Sequence, residues 1–347
     1  MRRVNGIFLL LVMLAAPASA KDLEIYFIDV EGGQATLIVT PAGESLLIDA
    51  GYGRGNNRDA DRILAAAKAA RIERIDYFLA THFHGDHVGG IPELAAQIPI
   101  LNFIDYGAPL GTIYGADRMS GRPFATYEPI RSLGRHIVPK PGDRLPLTGL
   151  AVDVVSSGGD LLTTPLPGGG QSNEACGSLE DHPEDGTENF RSLGVVLQFG
   201  AFRFVDLGDL SGKTLQKLVC PLNLLGEASV YLIAHHGDYD TNEHAIYAAL
   251  KPRVAVMNNG ATKGGDPATF WTVHAQPNLD LWQLHASERR GATNAPSEFI
   301  ANLNNHDIEP TGHWIKLTAT DDGSFTVVNG RTGFARTYPP RPRKDHP

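Results

Sequence analysis

The six residues His82-Phe83-His84-Gly85-Asp86-His87 constrain this chain more than any other stretch. Three imidazoles and a carboxylate so close together cannot sit in an apolar core without partners, because each loses hydration on burial. The run follows residues 75–80 (IDYFLA), which read as a buried strand, and precedes Gly89-Gly90. Residues two apart at the end of an extended segment point to the same side, so His82 and His84 converge. Gly85 then permits a sharp turn, and Asp86 and His87 swing back toward the same point. Imidazole and carboxylate are donors that divalent zinc accepts. The run supplies part of two metal sites, His82 with His84 and Asp86 with His87, and completes neither. At least one further carboxylate or histidine must come from elsewhere.

Two later features fit that need. Asp209 follows an apolar run at 202–207 (FRFVDL), and His235-His236-Gly237 follows another at 229–234. Taken alone, Asp209 reads as a turn or helix-capping residue before Ser211, and a single histidine at a strand end reads as structural. Strands are also expected at 23–30, 35–40, 45–49, 193–199, 254–257, 313–320 and 324–329, with helices at 57–70, 92–96, 211–219 and 244–250. Between residues 106 and 189 the pattern becomes irregular. The stretches 107–129 and 156–189 are rich in turn formers, and loops of that length in a compact domain tend to be functional. They are candidates for a substrate wall. Phe270-Trp271 and Trp282 read as core, with a cover over the cleft as the alternative.

The first twenty residues stand apart. Arg2 and Arg3 precede an apolar run at 7–16, too short to span a bilayer, and Ala18-Ser19-Ala20 offers small residues for cleavage. This is the pattern of a secretory signal peptide over 1–20. The expected mature protein is periplasmic or extracellular, with one folded domain over 21–335 and a disordered Pro/Arg-rich tail over 336–347. No later stretch reads as a transmembrane helix. The formal net charge of −9 advertises no broad nucleic-acid-binding surface. Cys176 and Cys220 are too few for a thiolate zinc site, but an oxidising compartment would let them pair.

Taken in order, the motifs resemble the metallo-β-lactamase superfamily. They are most similar to the branch that includes the hydrolase domain of the DNA-uptake channel protein ComEC and the bacterial phosphorylcholine esterases. The matching pieces are Phe27-Ile28-Asp29-Val30, Leu46-Leu47-Ile48-Asp49-Ala50-Gly51, the stretch 81–90 (THFHGDHVGG), the stretch 189–197 (NFRSLGVVL), Leu207-Gly208-Asp209 and Ala234-His235-His236-Gly237. The resemblance implies an αββα sandwich of two mixed β-sheets flanked by helices. It implies two zinc ions, with manganese or iron as alternatives. His82 and His84 would hold the first ion, Asp86 and His87 the second, and Asp209 would bridge them. A histidine from the pair at 235–236 completes the second site. His235 is the favoured ligand and His236 the proton donor, with the reverse order open. Asp49 would support the metal loop through hydrogen bonds.

The chain departs from the family at two places. Glu31-Gly32-Gly33-Gln34 replaces Gly-Gln-Gly-Asp after the first strand, and Asp238 replaces the serine that usually follows His-His-Gly. A third histidine ligand to the first ion, frequent in the superfamily, has His182 as its candidate here, although the ComEC-like branch uses the Asn189/Ser192 segment instead. His136, His274, His285, His306, His313 and His346 carry no motif.

The expected chemistry is hydrolysis by water activated between two cations, with Asp86 orienting it or taking its proton. A small-molecule or polymeric phosphoester or phosphodiester is the expected substrate. An acyl hydrolase (lactonase or β-lactamase type) is the alternative, and a non-catalytic zinc-binding protein the alternative of another class.

Overall fold

The computed structural model of the chain describes residues 22–109, 118–178, 186–241, 243–304 and 312–342. The expected signal peptide over 1–20, His182, His306 and His346 lie outside the described residues.

Chain order builds one sheet, then a second, then returns to the first. β1 (Leu23–Ile28), β2 (Thr36–Val39), β3 (Ser45–Ile48), β4 (Ile75–Leu79), β5 (Ile100–Ile104) and β6 (Arg135–Ile137) open the first sheet. β7 (Ala151–Ser157), β8 (Asp160–Leu161), β9 (Gly194–Phe199), β10 (Phe202–Asp206), β11 (Val230–Leu232), β12 (Val254–Met257), β13 (Asp280–His285) and β14 (Ile300–Asn302) form the second. β15 (Trp314–Ala319), β16 (Phe325–Asn329) and β17 (Ala335–Tyr338) then extend the first sheet beside β1. Among the described residues the strand orders are β17-β16-β15-β1-β2-β3-β4-β5-β6 and β14-β13-β12-β11-β10-β9-β7-β8. Both sheets are mixed. β3, β4 and β5 run parallel in one, and β10, β11 and β12 run parallel in the other.

The two sheets pack through aromatic and β-branched side chains. Phe27 of β1 meets Phe204 of β10 edge-on at 5.5 Å, and Phe202 meets Phe325 at the same distance. Helices flank the pair. α1 (Arg58–Ala69) packs on β1 and β2 with Ile63, Ala66 and Ala67 buried. α2 (Gly85–Val88), α3 (Ile91–Ala95) and α4 (Arg118–Arg131) follow it around the first sheet. α5 (Gly212–Lys217), α6 (His244–Leu250) and α7 (Pro267–His274) share a second apolar cluster with Val205, Tyr231 and Met257. This is the expected αββα sandwich. No helix among the described residues is long and apolar enough to cross a membrane.

Two expectations change. The stretch 107–129 is not all loop, because α4 forms despite Gly121, Pro123 and Pro129. Its Phe124 and Tyr127 rings pack on Phe83 at 4.7 and 5.8 Å, and tertiary packing overrides poor propensity. The tail is ordered further than expected. Residues 335–338 pair with β16, Tyr338 stacks on Phe325, and Arg341 reaches Glu227 at 2.8 Å. Trp282 is core: it is fully buried and donates its indole N–H to the Tyr338 hydroxyl. The two cysteines are joined as a disulfide, with Cα atoms 5.7 Å apart.

Candidate metal centre

Parallel strands send the chain out at the same edge, and ligands in such sheets gather beyond the carboxyl ends of the strands. The segments after β1, β3, β4, β10, β11 and β12 all meet there. The stretch after β4 carries His82, His84, Asp86 and His87. His84 is extended (φ −69°, ψ 156°) and α2 begins directly after it, so helix onset turns the chain. Gly85 is part of that helical turn rather than a left-handed pivot. Backbone bonds lock the loop: Gln34 N donates to Asp86 O at 3.1 Å, and Ala50 N donates to His87 O at 2.7 Å.

Asp49 sits beneath this loop. It accepts from Thr81 N (2.8 Å) and Thr81 Oγ1 (2.7 Å), and its Oδ2 lies 2.7 Å from His87 Nδ1. A carboxylate at Nδ1 orients a metal-ligating imidazole and leaves Nε2 as the donor atom.

Asp209 comes from the turn after β10. Gly208 takes φ +55°, and a Cβ there would lie 2.8 Å from Thr81 Cβ, so only glycine lets this turn approach the first sheet. The turn after β11 is left-handed at three residues running: His235 (φ 48°), His236 (φ 56°) and Gly237 (φ 74°). Positive φ at two non-glycine residues costs free energy, and such strain gathers at functional sites.

These elements bring Asp86, His87, Asp209 and His236 together, with one donor atom from each lying within 4.8 Å of all the others. His87 Nε2 is 3.3 Å from Asp86 Oδ2 and 3.2 Å from Asp209 Oδ2. His236 Nε2 is 3.2 Å from both of those oxygens. Ligands of a tetrahedral ion with bonds of 2.0–2.1 Å stand about 3.3 Å apart, so these four match one cation. His82 Nε2 lies 3.8 Å from the same Asp209 oxygen, and the His82 and His84 rings are 4.5 Å apart. The buried atoms His82 Nε2 and Asp209 Oδ1 have no hydrogen-bond partner, although buried polar atoms seldom go unsatisfied. The donor set therefore fits divalent cations.

His235, the sequence-favoured ligand, stands outside the four. Its Nε2 is 4.0 Å from Asp209 and 3.3 Å from Asn189 Nδ2, and its Nδ1 lies 2.8 Å from Asp240. Burial opposes its charge, but the Asp240 hydrogen bond and the Asp209 charge push its pKa up to about 9. Burial would raise Asp86 and Asp209. Lys263 and His87 nevertheless hold Asp86 well below the usual carboxylate range, and His236 and His87 do the same for Asp209. His82 is pushed well down by burial and by the charges of His87 and His84.

Lys263, on the loop after β12, contacts Asp86 Oδ2 through its ammonium. Sequence reading missed it, because a single lysine among glycines carries no motif. A second buried cluster, Asp29, Glu31 and His285, lies behind the Gly32 turn. Arg62 sits within it, 3.3 Å from Asp29 and 3.1 Å from Glu31, and serves as its cation. His136 pairs with Asp105 at 2.8 Å, away from the centre. Phe270 is buried and Trp271 exposed, and both rings pack on His274 near Leu279 and Arg336.

Residues 28–174 match the family model Metallo-beta-lactamase superfamily. A metal-dependent hydrolase of Thermodesulfovibrio yellowstonii is 36% identical over 91 residues, 26% of this chain and 31% of its own. An atrochrysone carboxyl ACP thioesterase of Aspergillus fumigatus is 39% identical over 69 residues, 20% of this chain and 21% of its own. The chain thus spans less than a third of the length of these curated relatives. Among solved structures, the metallo-beta-lactamase fold protein YhfI of Bacillus subtilis aligns with a TM-score of 0.43 at 10% identity, over 75% of this chain and 95% of its own. With its two mixed sheets, flanking helices and the match over residues 28–174, the chain has the α/β metallo-β-lactamase sandwich fold.

Proposed function

We propose that the protein is a secreted, binuclear metal-dependent hydrolase of phosphoesters or phosphodiesters, of the ComEC-like branch. The observation that carries the hydrolase reading is the tetrad Asp86, His87, Asp209 and His236 with spacings of 3.2–3.3 Å. In this reading His82, His84 and Asp209 hold one ion, and Asp86, His87, Asp209 and His236 hold the other. Zinc suits these donors best, and manganese and iron are alternatives. Bound divalent ions supply Lewis acidity, making water a nucleophile near neutral pH and stabilising charge on the reacting oxygens.

The protein's own residues do the rest. Asp49 fixes the His87 tautomer. Asp86 orients the attacking water or accepts its proton. His235 takes the role first given to His236: Asp240 holds its Nδ1, leaving Nε2 to donate a proton to the leaving oxygen. His235 is partly exposed, at 19%, where substrate can reach it, whereas His236 is fully buried.

Export is supported by the Arg2-Arg3 start, the apolar run and Ala18-Ser19-Ala20, together with the Cys176–Cys220 disulfide. The expected partner is a small or polymeric ester rather than a membrane or bulk nucleic acid. An acyl hydrolase is the second reading, favoured by the stretch shared with a thioesterase.

A panel of a phosphodiester, a lactone, a thioester and a cephalosporin tests the substrate class with metal-loaded protein. Phosphodiester cleavage is expected, and turnover of the acyl substrates alone would overturn that ranking. The ligand assignment has its own test. His236→Ala is expected to lose bound metal, while His235→Ala keeps it and loses turnover about a hundredfold. The opposite pattern restores the order favoured from sequence.

A further inference from the structure

The two places where this chain departs from the pattern it resembles both border the loop that carries Lys263. The lysine lies on the loop after β12. Its ammonium contacts Asp86 Oδ2, the oxygen that faces both His87 and His236. It also stands 5.7 Å from the centre of the Tyr52 ring. The side chain is 36% exposed, so solvent reaches it although its head lies against the centre.

The first departure makes room for the loop. Gly32 takes φ +82°, and a Cβ there would lie 2.9 Å from Lys263 Cβ and 3.0 Å from Gly260 N. Gly260 in turn packs so closely on Glu31 that a Cβ would lie 2.5 Å from its carbonyl carbon. Arg62 anchors the Glu31 carboxylate from below at 3.1 Å. The second departure clamps the far side. Arg289 Nη1 donates to Asp238 Oδ1 at 2.9 Å and to Gly264 O at 3.2 Å. Gly265 N and Asp266 N donate to His236 O and Gly237 O, at 3.0 and 2.9 Å. The loop is therefore fastened to the metal-ligand turn and to the β1 loop at once, and a long flexible side chain starts from a fixed backbone.

We propose that Lys263 binds the substrate's charge: its ammonium takes a non-bridging anionic oxygen of a phosphoester held at the histidine centre. This rests on the hydrolase reading above and names the substrate class for it. Asp86 Oδ2 cannot give the same lone pairs to an ammonium and to a divalent ion. With an ion on Asp86, the ammonium turns to an anionic oxygen arriving from the open side. A compact cation with three donors suits a phosphoryl oxygen, while a neutral ester offers it no charge to pair with.

The test uses metal-loaded protein and inorganic phosphate, with binding measured by calorimetry and metal content by elemental analysis. Lys263→Met is expected to bind phosphate roughly ten- to a hundredfold more weakly with the same metal content, because a hydrogen bond to a charged group is lost. Lys263→Arg is expected to recover most of the affinity. Equal phosphate affinity in Lys263→Met would overturn the proposal. So would a gain of bound metal in that variant with phosphate affinity unchanged, since the ammonium would then be standing in for a cation. Phosphate binding is read without turnover. A protein that binds phosphate through Lys263 yet cleaves nothing on the panel leaves this inference standing and removes the hydrolase reading.

Discussion

Asp206 and Asp209 lie three residues apart at the end of β10 and in the turn after it, and their surroundings push them in opposite directions. Asp209 stands among histidines and is held well down. Asp206 is just as buried, but it accepts only neutral donors, from Gln34 Nε2 at 2.9 Å and Gly208 N at 3.0 Å. Burial drives its pKa up to about 7. A carboxyl raised in the folded state helps stability below its unfolded value near 3.8, and that help is lost as pH rises through about 7. Asp206→Asn removes the dependence. Measured by urea unfolding in chelator, the variant should gain on the parent between pH 4 and pH 8 by roughly 4 kcal/mol, the worth of a three-unit shift. Parallel stability curves for the two proteins would sink this account. Residue identity was legible where chemistry is rare in sequence: the His82–His87 run, Asp49 and Asp209 could be named because few other roles bring those types together. His235 and His236 could not be ordered, because left-handed φ at both removes the alternation on which strand-end reasoning relies. Lys263 was invisible because its meaning comes from Gly32 and Arg289, which are remote in sequence.

At the scale of elements, sequence patterns succeeded where burial is one-sided and failed where tertiary contacts decide. β12 and α6 fall where apolar patterning puts them. α4 does not, since its prolines argue against a helix and only its packing on Phe83, with Tyr127 and Arg131 bonded to Asp105, argues for one. The Cys176–Cys220 bridge ties the helical turn Glu174–Ser178 to the segment after α5. Asn173 already holds that turn, donating to Val219 O and Ala245 O. Loss of the bridge should therefore act mainly on the unfolded chain, by freeing a loop that spans 44 residues of sequence. Replacing both cysteines by alanine should cost about 2–4 kcal/mol and leave metal content unchanged. An unfolding midpoint equal to the parent's would show that the cross-link adds nothing.

At the scale of the whole molecule, the candidate centre is a seam. His82, His84, Asp86 and His87 leave the first sheet, while Asp209 and His236 leave the second, and His87 and Asp209 are 122 residues apart. Elsewhere the sheets are joined by apolar packing such as Phe27 on Phe204. At this edge they are joined by carboxylates and imidazoles, which cost free energy to bury unless opposite charge meets them. A bound cation meets that need and ties one sheet to the other, so its binding free energy becomes folding free energy. Stripping the protein with chelator should lower its thermal midpoint, and zinc should restore it. At a free ion concentration a thousand times the dissociation constant, each site should add about 4 kcal/mol, which raises the midpoint by several degrees. Asp209→Asn should abolish most of that rise although it leaves every ligand of the first sheet in place, because the seam then has a strong donor set on one side only. An unchanged midpoint on adding zinc to the stripped parent would mean that the cluster is not a metal centre.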